Sequence, residues 1–197
     1  MPLFSHHRSI GRALILAVAL AAAGCSHDPK PQERVTGDGG SKLLHLSSKQ
    51  VTVDLDDAQR AALTTMQDRR FATQDVPTVL TSCASALQGM DFQPVTTDRE
   101  IMIVEGEQDK VVGTRWREAI RALLKARGVP LSGRPDHQSI KALVTVRTDQ
   151  AGIMVRARFT LTVWDTNGDS RTETMIDQGL YDDFFSAVTA ATTPQPR

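Results

Sequence analysis

An α+β fold, an antiparallel sheet with helices packed on one face as a two-layer sandwich, is predicted by three features of the sequence. Apolar and polar residues alternate from 140 to 164 on both sides of a turn, the pattern of paired strands with one buried face. At 76–90 and at 180–191 the apolar residues instead recur at steps of three and four, which is one face of a helix. Turn-forming residues punctuate the chain between these segments, so helices have a sheet face to cover.

Taken in order, Gln50–Leu55 alternates like a short strand, and Asp56-Asp57 marks a helix start before Ala58–Gln67. Arg69–Thr73 reads as another short strand. Asp75 is a good N-cap, and Pro77 is tolerated in a first turn. Behind it Val76, Val79, Leu80, Cys83, Ala84, Leu87 and Met90 form one apolar stripe, with Gly89 as the stop. Phe92–Thr97 and Glu100–Glu107 read as a hairpin whose second strand carries Ile101 and Ile103 on one face. A helix is expected over Thr114–Arg127 with Trp116, Ile120, Leu123 and Leu124 inward, ended by Gly128 and Pro130. Residues 128–138 read as a loop.

The C-terminal strands are the most strongly patterned. Ile140, Ala142, Val144 and Val146 alternate with Lys141, Leu143, Thr145 and Arg147. Ile153, Val155, Ala157, Phe159, Leu161 and Val163 alternate with Met154, Arg156, Arg158, Thr160, Thr162 and Trp164. A turn at Asp149–Gly152 that pairs Thr148 with Ile153 sets Val146 opposite Val155 and Ala142 opposite Phe159, which makes one apolar face. Asn167-Gly168 reads as a type I′ hairpin turn. Its register sets Phe159 opposite Ile176, and Trp164 opposite Arg171 on the other face. A last helix over Leu180–Ala191 buries Leu180, Phe184, Phe185 and Val188, before a polar tail, residues 193–197.

The N-terminus sets the expected compartment. Arg8 and Arg12 precede an apolar run, Ala13–Ala23, with the layout of a secretory signal and too short for the roughly twenty residues of a membrane span. Ala22-Ala23-Gly24-Cys25 resembles the lipobox of bacterial lipoproteins, in which the signal is cut before a diacylated cysteine. The resemblance implies a signal peptide at 1–24 and lipidation of Cys25. Ser26, where the retention rule of enteric-type bacteria has aspartate, implies the outer membrane, facing the periplasm. Two or more acyl chains make a stable anchor where one does not. Residues 25–48, rich in Pro, Gly, Ser and charge, read as a flexible tether reaching about 25 Å. Residues 49–192 are left as a single domain.

Charge and cysteines bound the function. The 197-residue chain carries 23 basic and 23 acidic residues, and removal of 1–24 takes two arginines and no acid. Near-neutrality argues against nucleic-acid binding. Cys83 is left unpaired on an apolar stripe, which reads as a buried thiol.

Few motifs carry chemistry. Asp165-Thr-Asn167-Gly-Asp169 resembles the opening of a calcium loop, but its sixth and twelfth positions hold Ser170 and Ile176 instead of Gly and Glu, so it reads as hairpin chemistry. His27, His45 and His137 are too scattered to build a metal site. No catalytic residue, metal or cofactor is expected. Arg117, Arg121 and Lys125 recur every four residues, either a solvated helix face or a surface for anionic headgroups. The candidate interaction face is the uncovered side of the sheet, with Arg147, Arg156, Arg158, Arg171 and Trp164; Trp164 and Arg171 as cross-strand neighbours would form a cation–π pair.

Arg69-Arg-Phe-Ala-Thr-Gln-Asp75 and Ala86-Leu-Gln-Gly-Met-Asp-Phe92 resemble a family of uncharacterised Gram-negative lipoproteins, in which R-x-F-x-T-x-D leads into a helix ending L-Q-D-L-G-F. Val155-Arg-Ala-Arg-Phe159, Val163-Trp-Asp-Thr-Asn-Gly168 and Tyr181-Asp-Asp-Phe-Phe185 resemble that family's V-R-V-x-F, V-W-x-x-x-G and Y-x-x-F-F stretches. Here Gln88-Gly-Met-Asp91 stands where the family has Q-D-L-G, which moves the glycine two places. More loosely, the helix followed by a hairpin resembles the repeated domains of lipoprotein subunits of the outer-membrane β-barrel assembly machine. The resemblances imply an envelope lipoprotein and no particular reaction. The expected function is a membrane-anchored, non-enzymatic domain that presents its sheet face to an envelope protein. The alternative is a module holding an apolar small molecule between helices and sheet. An enzyme would need a cleft with converging titratable groups.

Overall fold

Pro135–Asp149 and Gly152–Asp165 pair antiparallel along their length, and the other elements are arranged around this hairpin. The computed structural model describes residues 33–38, 49–111 and 135–192, all within the compact unit Pro31–Arg197. In chain order these residues form β1 (Glu33–Asp38), β2 (Lys49–Val53), α1 (Asp57–Met66), β3 (Asp68–Phe71), α2 (Val76–Gly89), β4 (Val95–Asp98) and β5 (Ile103–Val111). They continue with β6 (Pro135–Asp149), β7 (Gly152–Asp165), β8 (Ser170–Thr174) and α3 (Gln178–Thr192). Cys25 and the helix expected over Thr114–Arg127, with Arg117, Arg121 and Lys125, lie outside the described residues.

The sheet runs β1-β2-β8-β7-β6-β5-β4, and β3 extends the line of β8 along the same edge of β7. The predicted β6–β7 register holds: Thr148 faces Ile153, Val146 faces Val155 and Ala142 faces Phe159. A short turn pins it, because a slip of one residue would turn every apolar side chain to water. Gly152 sits at φ +131°, and a Cβ there would meet the Phe71 carbonyl oxygen at 2.3 Å, so glycine lets β3 close against β7.

The described helices all pack on one face. Ile140, Ala142, Val144 and Val146 of β6 and the alternate residues Ile153–Val163 of β7 are buried with side chains from all three helices. Phe159 is the hub: its ring lies 5.1 Å from Tyr181, 5.8 Å from Phe184 and 5.9 Å from Phe92. The α+β architecture with helices on a sheet is therefore as predicted.

Several elements differ from the sequence reading. The sheet is mixed, because β2 runs parallel to β8. The cause is the β2–α1–β3 crossover, which returns the chain in its original direction beside β7. Residues 33–38, expected in the tether, form an edge strand paired with β2. Its Val35 is 56% exposed, so backbone hydrogen bonds rather than core burial hold it. Residues 135–138, read as loop, begin β6.

The α2 cap is as expected, with Asp75 accepting from the Thr78 N–H at 3.1 Å. It ends at Gly89, as predicted, but the glycine is not the left-handed residue of the cap. The left-handed residue is Asp91 (φ 65°); its N–H donates to Gln88 and that of Phe92 to Leu87, a Schellman closure. Both strands of the following hairpin begin three residues later than predicted, β4 at Val95 and β5 at Ile103, and β5 runs on to Val111. Asp98 Oδ1 accepts from the N–H groups of Glu100 and Ile101, so these residues turn instead of extending. Ile101 is 64% exposed, and Ile103, opposite Thr145, faces the uncovered side; Val104 is the core residue of β5.

The larger correction is at β8. Thr166–Gly168 form a three-residue loop, with the Asp165 N–H donating to the Asp169 carbonyl and Gly168 left-handed at φ 80°. Asp165 Oδ1 also accepts from the N–H groups of Asn167 at 2.8 Å and Asp169 at 3.0 Å, which holds the wider loop. The two-residue turn read from Asn167-Gly168 is thus one residue too tight. Every β8 side chain is turned over relative to it: Arg171 faces Val163, Trp164 faces Ser170, and β8 ends before Ile176 can reach Phe159.

Candidate interaction face

Strand pleating sends β6 and β7 residues of one parity to the helices and those of the other parity to the uncovered side. The uncovered set includes the pairs Arg147–Met154, Thr145–Arg156, Leu143–Arg158, Lys141–Thr160 and His137–Trp164. Of the five residues assigned to this face, Arg147, Arg156, Arg158 and Trp164 are on it and Arg171 is not. Arg171 is 6% exposed on the helix-covered side, its guanidinium 3.0 Å from Glu33 of β1.

The Trp164 partner is therefore aromatic instead of cationic. The His137 imidazole lies 4.5 Å from the indole and 7° from parallel. The sequence pattern places His137 in a loop, yet the register that pairs Thr148 with Ile153 carries through to His137 and Trp164 because β6 is as long as β7. That length match was the missed signal.

The cations differ in what they have already engaged. Arg156 grips Asp68 of β3 with two bonds of 2.6 and 2.7 Å, and this hydrogen bonding raises the guanidinium pKa further. Arg70 Nη1 donates to both carboxylate oxygens of Asp149 at 2.6 Å, which lowers the carboxyl pKa. Lys141 lies 3.5 Å from Glu107, which also accepts from Ser139 Oγ at 2.8 Å. Arg147 and Arg158 make no ion pair among the described residues. Leu143, between Glu105 and Arg158 across the strands, is 40% exposed. Thr162 and Thr172 hydroxyls meet at 2.9 Å, forming a polar ladder beside the aromatic stack.

The acids of the calcium-like loop are occupied by backbone donors: Asp165 closes the loop and Asp169 Oδ1 accepts from the Lys49 N–H at 2.7 Å. Among the described residues no group of three or more His, Cys, Asp or Glu is placed to hold a metal ion. Cys83 is fully buried, and desolvation pushes its thiol pKa up to about 12. Between helices and sheet the space is taken by side chains, Phe159, Tyr181, Phe184 and Val188 among them, each 0% exposed. No described helix is long and apolar enough to cross a membrane. No family model matches the chain, and no curated protein matches it.

Proposed function

We propose that the protein is a lipid-anchored component of the bacterial outer membrane whose folded body is a non-enzymatic protein-interaction domain, docking an envelope protein through the uncovered sheet face. The observation that carries this reading is the asymmetry of the sheet. Among the described residues, helices seal one side, and the other presents the His137–Trp164 stack, an exposed leucine and two arginines without acidic partners. Aromatic and arginine side chains are the types enriched at protein interfaces. Free cations beside an apolar patch favour a partner with an acidic rim. Anchorage at Cys25 would keep that partner close to the membrane, because β1 begins eight residues later and a chain extends at most about 3.6 Å per residue.

The test is photocrosslinking in intact cells from a probe at Leu143, with a matched probe at Thr81 on the exposed side of α2. One envelope protein should be captured from Leu143 only, and Trp164→Ala with Arg158→Ala should abolish the capture. Equal capture from both probes, or capture indifferent to the double substitution, would remove the sheet face from consideration. Palmitate labelling abolished by Cys25→Ala is expected alongside.

A further inference from the structure

On the face that the described helices leave uncovered, Leu143 is the centre of a charge-sorted row. Glu105 of β5 lies on one side of it and Arg158 of β7 on the other. All three residues are exposed, and neither charged one makes an ion pair among the described residues. In the rows to either side the charges are already answered: Lys141 lies 3.5 Å from Glu107, and Arg156 is held by Asp68. Strands stand about 4.8 Å apart, so the Glu105 and Arg158 backbones are about 10 Å apart with a leucine between them.

A row that reads acid, leucine, arginine is complementary to its own reversal. Sheets that stack face to face keep their strands within about 30° of one another and lie about 10 Å apart. A two-fold axis between two such sheets, running along β6, sets Leu143 against Leu143 and carries Glu105 of each copy over Arg158 of the other. A two-fold across the strands instead sets acid over acid and arginine over arginine, which repels. The order of charges therefore selects the axis along β6. Lys141 also lies near that axis, but it brings its counter-charge with it in Glu107. Arg147, four residues from Leu143, is carried aside by the crossing angle and twist of the sheets.

We infer that the uncovered sheet face pairs with a second copy of this chain, about a two-fold along β6, with Leu143 at the centre and a Glu105–Arg158 ion pair on each flank. The inference rests on the proposed role of this face and names its partner. The same axis leaves Glu33, the start of β1, at the same end of both copies, so anchors at Cys25 can reach one membrane. Confinement to one surface raises the effective concentration, so a small interface suffices.

The test is disulfide trapping of the full chain in intact cells. Leu143→Cys should give a disulfide-linked dimer under mild oxidation, because the axis brings that position against itself. Thr81→Cys, on the exposed side of α2, and the unsubstituted chain should not. Added to Leu143→Cys, Glu105→Arg or Arg158→Glu should each reduce the dimer about tenfold or more, since each puts two like-charge pairs into one interface. Co-expression of the two charge variants should restore it as a mixed dimer, in which both pairs are again opposite. A dimer indifferent to the charge variants, or equal trapping from Thr81→Cys, would overturn the inference. Capture of a different envelope protein from Leu143, with no dimer, would overturn it and leave the sheet-face reading standing. No contact from Leu143 with any protein would remove both.

Discussion

Arg171 faces Val163 across β7 and β8 on the helix-covered side of the sheet, and Glu33 of the edge strand answers its charge at 3.0 Å. The arginine side chain is 7% exposed and the glutamate 45%, so the pair is buried on one side only. Solvent screens the glutamate, but its removal leaves a desolvated guanidinium with less to bind. Glu33→Ala should lower stability by about 1 kcal/mol, seen as a lower urea midpoint. It should also speed amide exchange in β2, whose outer edge β1 covers. An unchanged midpoint and exchange pattern would mean that Arg171 is satisfied without β1.

Asp91 holds the left-handed position that ends α2, at φ 65°. Glycine adopts that conformation without the Cβ penalty that aspartate meets. Asp91→Gly should raise stability by about 0.5–1 kcal/mol in urea unfolding. A loss of stability would show that the Asp91 side chain contributes more than its backbone strain costs.

Gly152 is the opposite case. At φ +131° with the Phe71 carbonyl oxygen 2.3 Å from where a Cβ would sit, it has no room for a methyl group. Gly152→Ala should cost about 2 kcal/mol or more and expose the β3 edge, read by thermal melts and amide exchange at Phe71. Wild-type stability in this variant would mean that β3 can move away from β7 freely.

Two carboxyls should shape the acid limb of stability. Hydrogen bonds from the Thr78 hydroxyl and N–H lower the Asp75 pKa below 3.8, and the hydrogen bond from Arg70 does the same for Asp149. A depressed folded-state pKa contributes stability that is complete above the unfolded value and is lost as pH falls through the folded value. The urea midpoint should therefore hold from neutrality to the ordinary carboxylate range and decline below it. Asp75→Asn keeps an N-cap acceptor but cannot titrate, so its acid decline should be shallower. Identical acid limbs would exclude Asp75 as a contributor.

Cys83 should resist thiol reagents in the folded protein, since burial raises its pKa to about 12 and leaves almost no thiolate at neutral pH. Ellman's reagent should react only as denaturant unfolds the domain. Rapid reaction in native buffer would show that α2 opens readily.

What the sequence determined by itself is everything set by side-chain period and short-range capping. The two-faced pattern of β6 and β7, their register through a tight turn, the Asp75 cap, the inward stripe of α2 and Phe184, Phe185 and Val188 of α3 were legible, as were Arg147, Arg156, Arg158 and Trp164 on the uncovered side; Tyr181, fully buried beside Phe159, was not. The tertiary structure decided what depends on contacts between distant segments. Asn167-Gly168 is compatible with loops one residue apart in length, and only the Asp165 side chain and the pairing with β2 settle β8 in the longer one, which carries Arg171 from the open face to the buried one. The polar stretch at 33–38 shows no strand period because its order comes from backbone bonds to β2 rather than from apolar burial. The row on the uncovered face likewise joins Glu105 to Leu143 and Arg158. No local pattern brings the first to the other two, because strand pairing acts through main-chain groups that every residue shares.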